Sequence, residues 1–301
     1  HYTFFPGSMA EAQTYFRGFS LDLSNAFETL ATKGLVRKEN GDLLLTAIGR
    51  DIANEIRRAR PPIFYFYKDF YTSIENSRAF SEYSQCVFGR NLGQHGFSDL
   101  NQMRKMLELV KLDRTSRVLD IGCGNGKIAE YISDLTQASV TGIDYIPEAI
   151  AQAMKRTKDK RDRLHFRVGN LENLNFEPES FDVILSIDSI FFGQDLKTTL
   201  ERLKSLLASD GQMAIFCGED LSVELKEIDL SYEVYDFSKE HYEHLQLKHR
   251  VARKLKEAFA AESNSFIWQN LVTESIGSTA PYDPATCSMS RYLWHVKKVE
   301  G

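Results

Sequence analysis

Cysteine is scarce in this chain. Cys86, Cys123, Cys217 and Cys287 are its four among 301 residues. None pairs at C-x-x-C spacing, which removes the usual structural zinc motifs, and no metal site is expected. Scattered thiols fit a reducing compartment, so a cytoplasmic protein is expected. Long apolar runs are lacking too. None approaches the roughly 20 residues that a membrane span needs, and the N-terminus lacks the charge pattern of a signal peptide. Positive charge is also short. The formal net charge is −5, which argues against a generally basic nucleic-acid binder and leaves room only for a local basic patch.

What is present supports a full core: hydrophobic residues make up 43% of the chain, too many for wholesale disorder. Gly7-Ser8 stand directly before Met9, so residues 1–8 are expected to be an appended segment, with the native chain starting at Met9. Ser20 is placed to cap a helix whose Leu23, Phe27 and Leu30 recur at i, i+4 and i+7. Gly34 suits its C-terminal end. "LVRKENGDLLLT" then reads as strand, turn, strand, and Thr46 caps a second helix carrying Ile48, Ile52 and Ile56 on one face. The segment is similar to winged-helix regulators and to the N-terminal domains of small-molecule O-methyltransferases. DNA contact wants a basic helix. Here the helix in the recognition position carries Asp22 and Glu28, and the arginines (Arg50, Arg57, Arg58, Arg60) lie later. The expected role of residues 9–60 is therefore dimerisation or shaping of a pocket.

Pro61-Pro62 breaks the chain before an aromatic-rich stretch read as helix packing, and Gly89 to Gly96 mark a polar loop. From residue 117 strands and helices alternate. Strands are expected at 117–121, 139–144, 164–168, 181–187, 211–217 and 231–236, with helices at 126–135, 147–157, 196–207 and 221–228. A long helix follows from 238 to about 260, and "RYLWHVKKV" forms a final strand. Such alternation implies a parallel sheet with helices on both faces.

"VLDIGCGNGK", residues 118–127, carries the chemistry. A phosphate-cradling G-x-x-x-x-G-K-[ST] loop fails, because Gly122, Gly124 and Gly126 are too close together and Ile128 follows Lys127. The dinucleotide pattern G-x-G-x-x-G fails by one residue, with Lys127 in place of the third glycine. Asp120 is the stronger objection. A carboxylate at the mouth of the loop repels a pyrophosphate and welcomes a ligand with an ammonium and a sulfonium. Asp144 ends the next strand, where a carboxylate can accept from two ribose hydroxyls. Asn170 and Leu171, after the third strand, can meet an adenine edge and face.

With these segments in order, "VLDIGCGNG", "GIDYIPEAIAQA", "VGNLENLNF", "FDVILSIDSIFF" and "LKSLLASDGQMAIF" resemble the successive motifs of class I S-adenosylmethionine-dependent methyltransferases over roughly residues 85–300. The resemblance implies an α/β, Rossmann-like seven-stranded sheet of order 3-2-1-4-5-7-6. It implies a winged-helix-like domain at 9–60, a helical linker and cap at 61–110, and a catalytic domain at 111–301 with a helical insertion at about 238–280. It implies S-adenosyl-L-methionine as cofactor and a donor site of Asp120, Gly122, Cys123, Gly124, Asn125, Asp144, Tyr145, Asn170, Leu171 and Ser186, with Tyr83 and Gln94 from the preceding segment. Asn170 stands where the family often has Asp.

Asp188, after the fourth strand, and His95, in the "GQHGF" loop, are the candidate bases, and Glu219 is a weaker one. Tyr83, Phe88, Phe192, Trp268 and Tyr282 are candidate substrate-framing aromatics. The basic run at 248–256 reads as a solvated helix face. No [DNS]-P-P-[YFW] follows the fourth strand and no Pro-Cys occurs. Both absences favour a small-molecule acceptor, without membrane or nucleic-acid partner, and a homodimer is expected. The alternatives are a DNA-binding regulator using the domain as a sensor, and a nucleic-acid or protein methyltransferase. The loop at 88–97 is expected to sit above Gly122–Gly126 and meet the ligand through Gln94 and His95.

Overall fold

The computed structural model describes residues 23–39, 42–52, 62–172, 174–193 and 195–298. Near the N-terminus, helix α1 (Leu23–Thr32) is followed by a turn at Gly34, whose φ of 67° suits a residue without Cβ. Strands β1 (Val36–Glu39) and β2 (Asp42–Leu45) pair antiparallel. Thr46 accepts the Gly49 N–H at 3.1 Å and caps a helical segment at 47–52. This is the helix, hairpin, helix order read from the sequence. The Ser20 cap, the turn residues Asn40 and Gly41, Ile56, and Arg57, Arg58 and Arg60 lie outside the described residues. A winged-helix-like domain over 9–60 thus remains a proposal.

The central sheet has seven strands: β3 (Arg117–Ile121), β4 (Ser139–Asp144), β5 (Leu164–Val168), β6 (Phe181–Ile187), β7 (Leu207–Cys217), β8 (Leu230–Asp236) and β9 (Tyr292–Lys298). Their spatial order is β5-β4-β3-β6-β7-β9-β8, with β9 antiparallel to both neighbours. That is the expected 3-2-1-4-5-7-6 arrangement. Val118, Leu119 and Ile121 are buried on both faces of the sheet, as a near-continuous apolar strand between helical layers should be. Register sets Ile121 beside Ile143 and Ser186, so three strands end together on one rim.

Two helical segments, one ahead of the sheet strands and one between the last two, close over that rim. The first is α2 (Pro62–Ile74), α3 (Arg78–Phe88), a loop at 89–98, and α4 (Leu100–Val110), which Asp99 caps by accepting from the N–H groups of Asn101 and Gln102. The second lies between β8 and β9: α9 (Ser238–Lys254), α10 (Lys256–Ala261) and α11 (Ser265–Thr273). (The helices α5, Lys127–Thr136, α6, Pro147–Arg156, α7, Leu196–Leu206, and α8, Ser222–Glu227, follow strands β3, β4, β6 and β7.) The expected single helix from 238 instead breaks at Leu255. Phe70, Phe80, Phe259 and Ile267 share one apolar cluster drawn from both segments. Glu262 secures the join, accepting from the Arg78 and Ala79 N–H groups at 2.9 and 3.0 Å and from the Ser77 hydroxyl at 2.6 Å. Lys248 corrects the reading of 248–256 as a solvated face. It is 1% exposed, against the Phe97 ring at 4.5 Å, and burial pulls its ammonium down to about 8. The periodicity of α9 carries Leu245, Lys248 and Ala252 inward together.

Candidate active site

A cavity of about 410 Å³ opens at the carboxyl ends of β3, β4 and β6, where ligands of open α/β sheets bind. Its floor is the turn from β3 into α5. Gly122 and Gly124 have φ of 68° and 55°, in the left-handed region that favours glycine. A Cβ on Gly124 would drive into the Tyr71 hydroxyl, and one on Gly122 would meet the Ser189 Cβ at 2.5 Å. These glycines let the backbone pack against its neighbours while the turn faces the cavity.

Asp144 borders the cavity at the end of β4. It accepts the Gly124 N–H through Oδ2 and the Ile146 N–H through Oδ1, each at 2.9 Å. Burial still pushes its carboxyl up to about 6, against the pull of those donors. Asp120 lies beneath the floor, 2% exposed, and its Oδ2 has no hydrogen-bond partner among the described residues. Burial, and then the Asp144 charge, push it up to about 8. Two acids thus share one buried corner, and no cation among the described residues is paired to either.

Gly122, Cys123, Gly124, Asn125, Asp144, Tyr145, Asn170 and Leu171 all border the cavity. So do Gln94, His95 and Asp188. Three expected donor-site residues do not border it, Asp120 beneath the floor being the first. Tyr83 is fully buried among Phe80 and Phe88 in the cluster above the rim, because α3 turns it inward. Ser186 points below the rim, where it donates to the Ser189 hydroxyl at 2.8 Å, which in turn donates to the Ile121 carbonyl at 2.7 Å. Ser189 borders the cavity in its place. Among the expected framing aromatics only Phe192 is at the cavity. Phe88 is core, Trp268 donates to the Ala252 carbonyl, and Tyr282 packs on Tyr242. Glu219 is exposed beyond β7 and does not border the cavity.

The loop at 89–98 does cover the glycine turn. Gly93 packs on the Asn125 side chain, so closely that a Cβ there would lie 2.6 Å from Asn125 Nδ2. Residues Leu92 to Ser98 all border the cavity. Asp188 accepts the Phe97 N–H at 2.9 Å and is held by Arg291 through bonds of 2.6 and 3.2 Å. Arg291 also donates to the Ser98 hydroxyl at 2.6 Å and to Gln102 Oε1 at 2.7 Å. Asp188 sits at φ 56°, a strained position for a non-glycine residue that these bonds hold in place. These bonds make Asp188 an anchor for the loop.

The sequence reading missed the wall opposite. Ile63, Tyr67 and Tyr71 recur every four residues along α2 and line the cavity. That stripe was visible in "PIFYFYKDFYTSI", but it is indistinguishable from core spacing until the helix is placed. Burial pushes the Tyr71 phenol well up, so it stays a neutral donor. Asn270 and Glu274, 175 and more residues from His95 in sequence, bond its ring and carried no local signal at all.

The described residues include no helix long and apolar enough to cross a membrane and no cluster of ligands that could hold a metal. Taken together, a methyltransferase-type sheet order and a glycine turn backed by two carboxylates define the class of fold and site. A model of the methyltransferase domain matches residues 112–269, and the chain belongs to that family. The O-methyltransferase rstn1 of Aspergillus nomiae is 31% identical over 114 residues, covering 37% of this chain and 51% of that protein. A ubiquinone/menaquinone biosynthesis C-methyltransferase of Citrifermentans bemidjiense is 32% identical over 127 residues, covering 39% and 52%. The chain thus spans about half the length of these curated relatives. Among solved structures, phosphoethanolamine N-methyltransferase 2 of Haemonchus contortus, in complex with phosphomonomethylethanolamine and S-adenosylhomocysteine, matches with a TM-score of 0.58 at 19% identity. That match covers 78% of this chain and 60% of the other, and is a likeness of fold.

Proposed function

We propose that this protein is a methyltransferase that uses S-adenosyl-L-methionine to methylate a small molecule. The observation that carries the reading is the pair of buried acids, Asp120 and Asp144, at a glycine turn with no cation among the described residues paired to them. Such a corner disfavours a pyrophosphate and suits a ligand that brings its own positive charge. Residues Gly122 to Asn125 would hold the amino-acid end, Asp144 the ribose hydroxyls, and Asn170 with Leu171 the adenine. The bound donor supplies an activated methyl group. The chain's own task is alignment, exclusion of water and removal of a proton where the acceptor carries one. The named relatives act on oxygen, carbon and nitrogen, so the family leaves the accepting atom open.

Calorimetry with S-adenosylmethionine, S-adenosylhomocysteine and NAD tests this. The first two are expected to bind and NAD is not, and preferential NAD binding sinks the reading. Asp144→Ala is expected to weaken S-adenosylhomocysteine by about 1–3 kcal/mol, the cost of losing hydrogen bonds to a charged acceptor. Asp144→Asn keeps an acceptor for the Gly124 N–H and separates ribose contact from damage to the turn. Unchanged affinity in both variants removes Asp144 from the donor site. The homodimer is a further proposal, checked by light scattering.

A further inference from the structure

Among the described residues His95 is the one imidazole bordering the cavity, and its bonding holds the ring in place. Nε2 lies 2.9 Å from Asn270 Oδ1 and 3.1 Å from Glu274 Oε2. A carboxylate can only accept, so Nε2 carries the hydrogen. In the neutral ring Nδ1 then keeps its lone pair, and no described residue hydrogen-bonds it. Three rings stand edge-on around the imidazole: Phe66 at 5.1 Å, Tyr67 at 5.3 Å and Phe70 at 4.9 Å. They fix its orientation.

The mouth beside this group carries aromatic rings. Tyr67 meets Phe192 edge-on at 5.7 Å, and Phe191 and Phe192 remain 47% and 41% exposed although they border the cavity. Exposed aromatics at a cavity rim are binding surface more often than core. The acids of the walls already have partners. Asp188 is bound to Arg291, Glu172 to Arg202 at 3.2 Å, and Asp144 to backbone N–H groups. Asp188 and Glu172, the wall acids at this end, are thus each held by an arginine. This end offers rings and a base.

We propose that the acceptor is a flat, apolar molecule bearing an acidic hydroxyl, a phenol or enol, and that His95 is its general base with Glu274 as the positioning residue. This rests on the methyl-transfer reading above. The hydroxyl proton passes to His95 Nδ1. The oxygen lone pair forms the new O–CH₃ bond while the S–CH₃ bond breaks and its electron pair stays on sulfur. The products are a neutral methyl ether, a neutral thioether and an imidazolium stabilised by the Glu274 carboxylate. That proton is then lost to water.

The test uses the full chain with 1-naphthol, 4-nitro-1-naphthol and 1-naphthylamine as acceptors, and S-adenosylhomocysteine binding as a readout independent of turnover. Wild type is expected to methylate both naphthols on oxygen in preference to the amine. His95→Gln is expected to lower kcat with 1-naphthol about 100-fold or more, in the range of general-base catalysis. It should leave 4-nitro-1-naphthol far less affected, because that acceptor reaches the site already ionised. Glu274→Gln is expected to give an intermediate loss, again confined to the weakly acidic acceptor and to kcat rather than KM. Bound 4-nitro-1-naphthol should also show its phenolate absorbance at a lower pH in wild type than in His95→Gln. Equal losses on both naphthols, or preference for the amine, overturn the inference. If wild type fails to bind S-adenosylhomocysteine, the methyl-transfer reading itself has failed. Tight binding without naphthol turnover rejects only the acceptor assignment.

Discussion

The ligand-free Asp120→Asn protein is expected to melt several degrees above wild type at pH 8 and at nearly the same temperature at pH 4. Asp120 is fully buried, unpartnered at Oδ2, and pushed up to about 8 by burial and by Asp144. In the unfolded chain the group ionises near its ordinary value of 3.8. Between those two values the folded state holds a proton that the unfolded state has released. Stability therefore falls as pH rises through this window, by up to about 1.4 kcal/mol per pH unit for such a group. Asn is nearly isosteric and never ionises, so the variant escapes the loss. In a domain of this size about 1 kcal/mol moves the melting temperature by roughly 2–4 °C. The same substitution should cost donor affinity. A ligand ammonium would stabilise the carboxylate, so wild type should release a proton on binding S-adenosylhomocysteine at pH 7, and Asp120→Asn should release less. Calorimetry in two buffers of different ionisation enthalpy measures that proton. A melting-temperature gain independent of pH would show that Asp120 does not hold it.

Arg291→Met is expected to lose about 3–5 kcal/mol of stability, the usual result of stranding one partner of a buried ion pair. The guanidinium joins four pieces of chain: the start of β9, Asp188 after β6, Ser98 at the end of the cavity loop, and Gln102 on α4. Met fills a similar volume, so what is lost is mainly the charge and the bonds. Asp188 is left buried without a counter-ion and Phe97 loses a well-placed acceptor. Hydrogen exchange at residues 92–98 should rise more than in the sheet strands. Pairing the change with Asp188→Asn should recover part of the stability by removing the stranded charge. A melting temperature within about 2 °C of wild type in the single variant rejects the latch.

The sheet was almost wholly legible in the sequence because its strands are short apolar runs bounded by turns. β3, β4, β5 and β6 fall on the expected residues. The glycine turn and its acids were legible for the same reason: the residues that make them are adjacent in sequence or one strand apart. The acceptor end was not. Its wall comes from α2, the loop and α11, and a pair such as His95 and Glu274 is bound together only by the tertiary fold. Ser186 and Asp188 show a finer limit. The spacing placed both at the end of β6, but which of them faces the cavity depends on the positive φ at Asp188 and on Arg291 far downstream. Lys248 misled because charge alone was read, whereas its ammonium stands over the Phe88 and Phe97 rings.

The position of β9 has a consequence for synthesis. It lies between β7 and β8 yet follows both in the chain, after the whole excursion through α9, α10 and α11. A nascent chain that has made β8 holds two unsatisfied strand edges, and edges of that kind template aggregation. Only when β9 inserts are they closed, and Arg291, the residue just before it, then reaches Asp188 and Ser98. Completion of the sheet and assembly of the cavity loop are thus a single late event. A chain truncated before residue 291 would keep its glycine turn and both acids, but it would be sticky at the ribosome and slack at the cavity.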